Sequence, residues 1–367
     1  MKLAITSLAL AALVALGGCG RSDTLAAPVA QTPAGPEAAP HKLRFLLNSG
    51  FSGANAWFLV AQERGYFREE GIEIEFVPGR GAFTAAGRMV EEHFDVGYGD
   101  IQATYEQAAK LPGNAPVGVY MVMDRSPSVI ILPASSPVTT APQLAGKTIT
   151  GHGTDVALNT FEQYAFRTGL DPTSVKIVAN DGNWKVLIGL LDEHRSDALF
   201  GYLSTSSAAI HTAGGKVDER LRFLKFRDAV PELYGSALMV SPTLLREQPE
   251  VARGLVRAVN RGVMETLCEP KAAIDLLVAR DPKQDAGVEL GRLMDTVEDM
   301  GGAEWIVKHG VGDIDPERMR AGIQLTHAQR KLSRLPSLDE VFDAALLPDI
   351  GERTPCAQEA GAYQAGI

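Results

Sequence analysis

Asp100 stands where an apolar run gives way to a helical one, since Phe94-Asp-Val-Gly-Tyr-Gly-Asp100 leads straight into Ile101–Lys110. A carboxylate at such a junction can accept a proton-bearing group of a small solute, or cap the amides of Gln102 and Ala103 at the head of the helix. Tyr202, beside Gly201 just past the strand candidate Ser196–Phe200, is placed in the same way. Thr154 and Asp155 close the turn Gly151-His-Gly-Thr-Asp155, where they can bind or cap, and Trp184 after Asp181-Gly-Asn offers a flat apolar face. Gly79-Arg80-Gly81-Ala-Phe-Thr84 brings backbone N–H groups and the Thr84 hydroxyl to a helix start, a geometry that suits a polar ligand group or a plain tight turn. Arg80 can meet an anion there or stay in solvent. Phe51, Ser52 and Asn55 lie between the first strand candidate and its helix, with Trp57 behind them; the rings can stack and the polar groups can bind or cap. The candidate ligand-binding set is therefore Phe51, Ser52, Asn55, Arg80, Thr84, Asp100, Thr154, Asp155, Trp184 and Tyr202.

Aromatic faces combined with carboxylates fit a flat nitrogenous solute, whose ring stacks while its amino groups donate hydrogen bonds. Other chemistries find less to work with. His152 has no serine or cysteine that can be assigned to it, so no catalytic residue is expected. The chain has no Gly-x-x-x-x-Gly-Lys-Ser/Thr loop, no Cys-x-x-Cys and no His-Glu-x-x-His. Neither a metal site nor a cofactor is expected.

The elements that must position these residues alternate between strand and helix. Lys42–Asn48, Gly71–Val77, Phe94–Tyr98, Val117–Met123, Ser128–Leu132, Gly146–Thr150, Val175–Ala179, Ser196–Phe200, Leu221–Phe226 and Tyr234–Val240 read as strands, and helices are expected over Ala56–Arg64, Thr84–Glu91, Ile101–Lys110, Val156–Thr168 and Trp184–Leu191. This rhythm predicts mostly parallel α/β sheets. Two halves joined by two extended crossings account for the order. Residues 41–123 and 236–367 form a first domain, 128–225 a second, and 124–127 and 226–235 the hinge crossings. A ligand cleft would then lie between the domains, where strand ends and helix N-termini converge.

The amino end reads as an export signal. Lys2 precedes the apolar run Leu3–Leu16, which is shorter than the ~20 residues a membrane span needs. Residues 22–40 hold four prolines and almost nothing large enough to bury, as a spacer would. A charge of −10, with no Lys/Arg cluster, argues against nucleic acid as a partner. Cys268 and Cys356 can pair in an oxidising compartment or remain separate thiols.

Several stretches carry a resemblance. Gly65-Tyr-Phe-Arg-Glu-Glu-Gly-Ile-Glu-Ile-Glu75, Phe94–Asp100, Leu144-Ala-Gly-Lys147, Arg195-Ser-Asp-Ala198, Tyr234-Gly-Ser…Val240 and Pro249-Glu-Val-Ala-Arg…Gly262 together resemble the solute-binding proteins of ABC importers. The branch is that of thiamine-pyrimidine, sulfonate and nitrate binders (NMT1/THI5-like and SsuA-like), and the likeness covers roughly 42–282. Leu16-Gly17-Gly18-Cys19 resembles the bacterial lipobox, which implies lipid attachment at Cys19 after removal of 1–18, with 19–40 as tether. The resemblance implies an α/β, two-domain type II periplasmic-binding-protein fold. It also implies a lipid-anchored monomer on the extracytoplasmic face, delivering a solute to a membrane permease powered by an ATPase. A pyrimidine-like solute is the leading expectation; a sulfonate, nitrate or aromatic carboxylate is the alternative. A ligand sensor for a membrane receptor is the reading from another class. A pyrimidine-synthesis enzyme is disfavoured, because the related eukaryotic enzymes use a cysteine-rich segment and this chain has no cysteine between 20 and 267.

Overall fold

The computed structural model describes residues 39–356. Cys19, with its leader and spacer, lies outside the described residues. Ten strands follow in chain order: β1 (His41–Leu46), β2 (Ile72–Val77), β3 (Val96–Asp100), β4 (Val117–Met121), β5 (Ser128–Pro133), β6 (Thr148–Gly151), β7 (Lys176–Ala179), β8 (Ala198–Tyr202), β9 (Leu221–Lys225) and β10 (Ser236–Val240). They form two five-stranded sheets, ordered β2-β1-β3-β10-β4 and β7-β6-β8-β5-β9.

The two sheets repeat one plan. In each, three strands run parallel and are joined by helical crossovers (β1 with β2 and β3, β6 with β7 and β8). One strand then lies antiparallel between two neighbours: β10 between β3 and β4, β5 between β8 and β9. That strand is in each case the first after the chain crosses from the other sheet. It arrives from the hinge without the helical crossover that parallel pairing requires, so it enters the sheet in the opposite sense. Each sheet is therefore mixed, where the strand–helix rhythm alone predicts mostly parallel ones.

Packing gives each sheet its own core. Phe45, Trp57, Phe58, Tyr98 and Leu238 pack with Leu255 and Val259 of the helix Pro249–Cys268 in the first lobe. Ile130, Phe161, Phe200 and Phe226 fill the second, with Tyr164 stacked on Phe226 at 4.2 Å between ring centres. The helix expected over Val156–Thr168 is broken into Val156–Asn159 and Phe161–Thr168. Thr160 causes the break: it is buried, sits at φ −110°, and its hydroxyl donates to the Val156 carbonyl at 2.8 Å.

The chain after residue 283 touches both lobes. Leu293, Val297 and Met300 join the first core, and Glu289 accepts the Gly53 N–H at 2.7 Å. Leu325 joins the second core, while Arg330 reaches Glu106 at 2.7 Å and the Asn159 carbonyl at 3.0 Å. Arg318 braces the hinge: its guanidinium donates to the Asp124 carboxylate at 2.8 Å and to the Pro231 carbonyl at 2.6 Å, one on each crossing.

Candidate functional site

The shared plan places corresponding residues of the two lobes at corresponding points. Asp100 ends β3 and pairs with Ser236, the first residue of β10. Tyr202 ends β8 and pairs with Ser128, the first residue of β5. In both lobes, then, a strand's last residue lies opposite a serine that has just emerged from the hinge. Tyr98, two residues before Asp100, shares its face of the sheet. The charge of Asp100 acts on both Tyr98 and Tyr202, and the Ser236 hydroxyl acts on both phenols, so the two lobes meet along this seam.

The seam holds more hydrogen-bonding capacity than the protein itself uses. Tyr98 Oη, Asp100 Oδ2, Gln102 Oε1, Ser128 Oγ, Tyr202 Oη and Ser236 Oγ are buried and have no partner of good geometry among the described residues. Trp57 Nε1 is in the same condition, and its ring meets Tyr98 edge-on at 6.2 Å. Each such group costs about 1–3 kcal/mol when left unpaired, so a concentration of them marks a place built to bond a guest. Burial pushes the Asp100 carboxyl up to about 8, opposed by the Gln102 amide and the Tyr202 hydroxyl. Burial likewise pushes Tyr98 and Tyr202 far above the ordinary phenol range, helped by the charge of Asp100. At neutral pH the closed seam is a set of neutral donors and acceptors around a protonated acid.

The expected residues fall into three groups. Asp100 and Tyr202 lie in the seam; Asp155 borders it, since its charge also acts on Tyr202. Asp100 both caps and faces the other lobe: Oδ1 accepts the Gln102 N–H at 3.0 Å, Oδ2 has no hydrogen bond of good geometry among the described residues, and the Tyr202 hydroxyl acts on the carboxyl. Arg80, Thr84 and Thr154 lie together elsewhere, lining a cleft of about 390 Å³ with Phe83, Arg88 and Glu106. There Arg80 is exposed and the Thr84 hydroxyl is spent on the Gly81 carbonyl at 2.9 Å. A Cβ on Gly81, which sits at φ +116°, would stand 3.0 Å from the Thr154 hydroxyl, so the lobes touch here as well.

The third group serves its own loop. Asn55 is fully buried; its amide donates to Asn48 Oδ1 at 3.2 Å and the Gly50 carbonyl at 3.1 Å, and its Oδ1 accepts the Ser52 N–H at 2.9 Å. Phe51 leans on Phe76 at 5.1 Å under the Arg280 guanidinium. Trp184 lies against β8: a Cβ on Gly201 would stand 2.4 Å from Trp184 Cη2 and 3.0 Å from Ile131 Cδ1. His152 stays beside it, 6.2 Å between ring centres, bonded to the Gly182 carbonyl at 2.6 Å. Gly201→Ala is expected to push the indole off the strand next to Tyr202, cost about 1–3 kcal/mol of stability as overpacking does, and shift the tryptophan emission. A thermal melt and an emission spectrum check this, with Trp184→Phe as the reference for the indole's signal.

Tyr98, Ser128 and Ser236 were not among the sequence candidates. A signal for them existed in the period-two spacing of Tyr98 from Asp100. A second was the serine at the start of each strand that follows a crossing.

The stretch 54–273 matches the model of the family described as NMT1/THI5 like, which is more than half of the chain. The chain belongs to the NMT1/THI5-like family. A curated relative, the 4-amino-5-hydroxymethyl-2-methylpyrimidine phosphate synthase of Legionella pneumophila, is 24% identical over 66% of this chain and 74% of its own. Among solved structures, the fold is that of the alkanesulfonate-binding protein SsuA from Xanthomonas axonopodis pv. citri bound to MOPS (TM-score 0.62, 16% identity, 84% of this chain and 99% of that one). The periplasmic aliphatic sulphonate binding protein SsuA from Escherichia coli is equally similar (TM-score 0.62, 16% identity, 82% and 92%). The desulfurization enzyme DSZB shares the fold too (TM-score 0.56, 18% identity, 85% and 99%). The NMT1/THI5-like chain thus has the α/β, two-lobed type II periplasmic-binding-protein architecture, a fold that serves both binding proteins and enzymes.

Proposed function

We propose that this NMT1/THI5-like chain captures a small polar solute between its lobes, closing over it, and hands it to a membrane permease driven by an ATPase. The observation that carries the reading is that Tyr202 of one lobe reaches Asp100 and Ser236 of the other, with unpaired buried groups of both lobes around them. Contacts from both lobes strengthen only when the cleft shuts, so a solute that makes them shifts the open–closed population toward closed. Export and lipid attachment at Cys19 fit such a role. His152, tied to Asp155 and the Gly182 carbonyl, holds a loop in this account and does no chemistry.

Two solute classes each have support. Sulfonates have the wider support, because sulfonate-binding proteins recur among the similar structures. The pyrimidine-like reading rests on the free oxygen of Asp100 and on the curated relative. The test is native followed by denaturing mass spectrometry of the purified protein, then calorimetric titration with hexanesulfonate and 4-aminopyrimidine at pH 6 and pH 9. A sulfonate needs Asp100 protonated, so its affinity should fall as pH rises through about 8. An amino donor gains from the ionised carboxylate, so its affinity should rise. A folded protein that copurifies with nothing and binds neither would contradict the capture reading.

A further inference from the structure

We infer that the helix Pro316–Arg330 is a clasp: it stays anchored on the first lobe, grips the second through a detachable polar face that ends in Arg330, and holds the cleft shut before any solute arrives. The inference concerns how the lobes move and goes beyond the capture reading. It lies wholly in the segment after residue 283, outside the 54–273 stretch that matches the family model.

The two faces of this helix differ in what they touch. Met319 and Ile323 are buried among Ile101, Tyr105 and Ala108 of the first lobe, and Met319 Sδ accepts the Tyr105 hydroxyl at 2.9 Å. Separating that face would expose apolar surface, so the helix moves with the first lobe. Toward the second lobe the contact is thinner. Leu325 joins the second core, but beside it Gln163 Nε2 reaches the Thr326 hydroxyl only at 3.5 Å. Gln163 Oε1 is buried with no partner among the described residues. Water entering such a face supplies a bond that the closed form lacks, so this is the face that parts.

Arg330 fastens it. Nη2 and Nε donate to Glu106 at 2.7 and 3.1 Å on the first-lobe helix Gln102–Lys110, and Nη1 donates to the Asn159 carbonyl at 3.0 Å in the second lobe. One guanidinium thus joins both lobes, and opening must break one of these bonds. The acceptor is there because Thr160 interrupts the helix: Asn159 is the last residue of Val156–Asn159, where carbonyls lack an intrahelical donor. The segment makes a second grip of the same kind. The helix Ala286–Val297 puts Leu293 and Val297 into the first core while it packs against the second-lobe helix Leu203–Thr212. Closure held by the chain itself is closure the solute need not supply, so the clasp strengthens binding of any solute alike.

Double electron–electron resonance on the purified, solute-free protein tests this. Spin labels are placed at Glu91→Cys and Glu162→Cys, exposed positions of the first and second lobes beside clefts that Glu106 also lines. The wild type should show the short distance of the closed form. Arg330→Ala should add a longer one, with the open-to-closed ratio raised about 5- to 10-fold, the scale of a partly exposed charged hydrogen bond. Arg261→Ala, which removes an ion pair to Glu69 within the first lobe, should leave the distribution unchanged. A wild type already open, an R330A that keeps the single short distance, or an R261A that opens as much as R330A would each overturn the inference. Should R330A fail to fold, Glu106→Gln removes the charge that holds the guanidinium; a ratio raised about threefold supports the clasp, and an unchanged distribution overturns it. No solute enters these measurements, so the clasp can fail while capture stands, and capture can fail while the clasp stands.

Discussion

Asp100→Asn should flatten much of the dependence of stability on pH between about 4 and 9. In the wild type the buried carboxyl titrates near 8, against an ordinary value of 3.8. Below the ordinary value, folded and unfolded chains both hold the proton and stability is complete. As pH rises the unfolded chain ionises first, so stability drains away until the folded group also ionises. At about 1.4 kcal/mol for each factor of ten, the interval amounts to roughly 6 kcal/mol at most. The variant carries no titrating group at this point and should gain on the wild type as pH rises. A smaller slope of the same sign should remain. Asp299 is pushed up by burial to about 7, and His152 is raised by its bond to Asp155, so it too loses stabilisation as pH rises through its folded value. Denaturant melts of both proteins at pH 5, 7 and 9 measure this, and parallel curves would remove Asp100 from the account.

The second large effect is expected from the bond between Cys268 and Cys356, whose Cα atoms lie 5.8 Å apart across 88 residues of chain. Cys268 ends the helix Pro249–Cys268 that packs the first core, and Cys356 closes the described chain. The bond thus ties the segment between the two cysteines, including the hinge brace Arg318, back onto the first lobe. A closed loop of that length restricts the unfolded chain by about 4.6 kcal/mol in the chain-entropy view. Cys268→Ser, or reduction of the wild type, should lower the melting temperature by several degrees, in keeping with a chain that matures in an oxidising compartment. Two extra free thiols in the native protein, with a melt unmoved by reductant, would be the opposite result.

Much of the architecture was legible because it is local. Alternation at Ile72, Ile74 and Phe76 and turn signals such as Gly65, at φ +78° just past the helix Ala56–Glu63, sufficed to place strands and helices in order. The ends of β3 and β8 were not legible. The apolar runs point to Phe94–Tyr98 and Ser196–Phe200, whereas the strands are Val96–Asp100 and Ala198–Tyr202. Pairing with β10 and β5 carries each strand through a glycine, Gly99 and Gly201, that composition alone reads as a turn. Those two residues of displacement put Asp100 and Tyr202 at the last rung of a ladder, opposite a serine. Register is a property of two segments, and no single window contains it. Asn55 and Phe51 show the converse: their types suit a ligand, and in the structure neighbouring groups already engage them.

The most direct test of the central claim is a crystal structure of the protein with its copurifying solute, or with the tighter-binding of hexanesulfonate and 4-aminopyrimidine. The account expects that molecule between Asp100 and Tyr202, hydrogen-bonded to groups of both lobes among Tyr98, Ser128 and Ser236. A molecule bound instead in the outer cleft of Arg80, Thr84 and Thr154, with the seam hydroxyls bonded to one another, would contradict it.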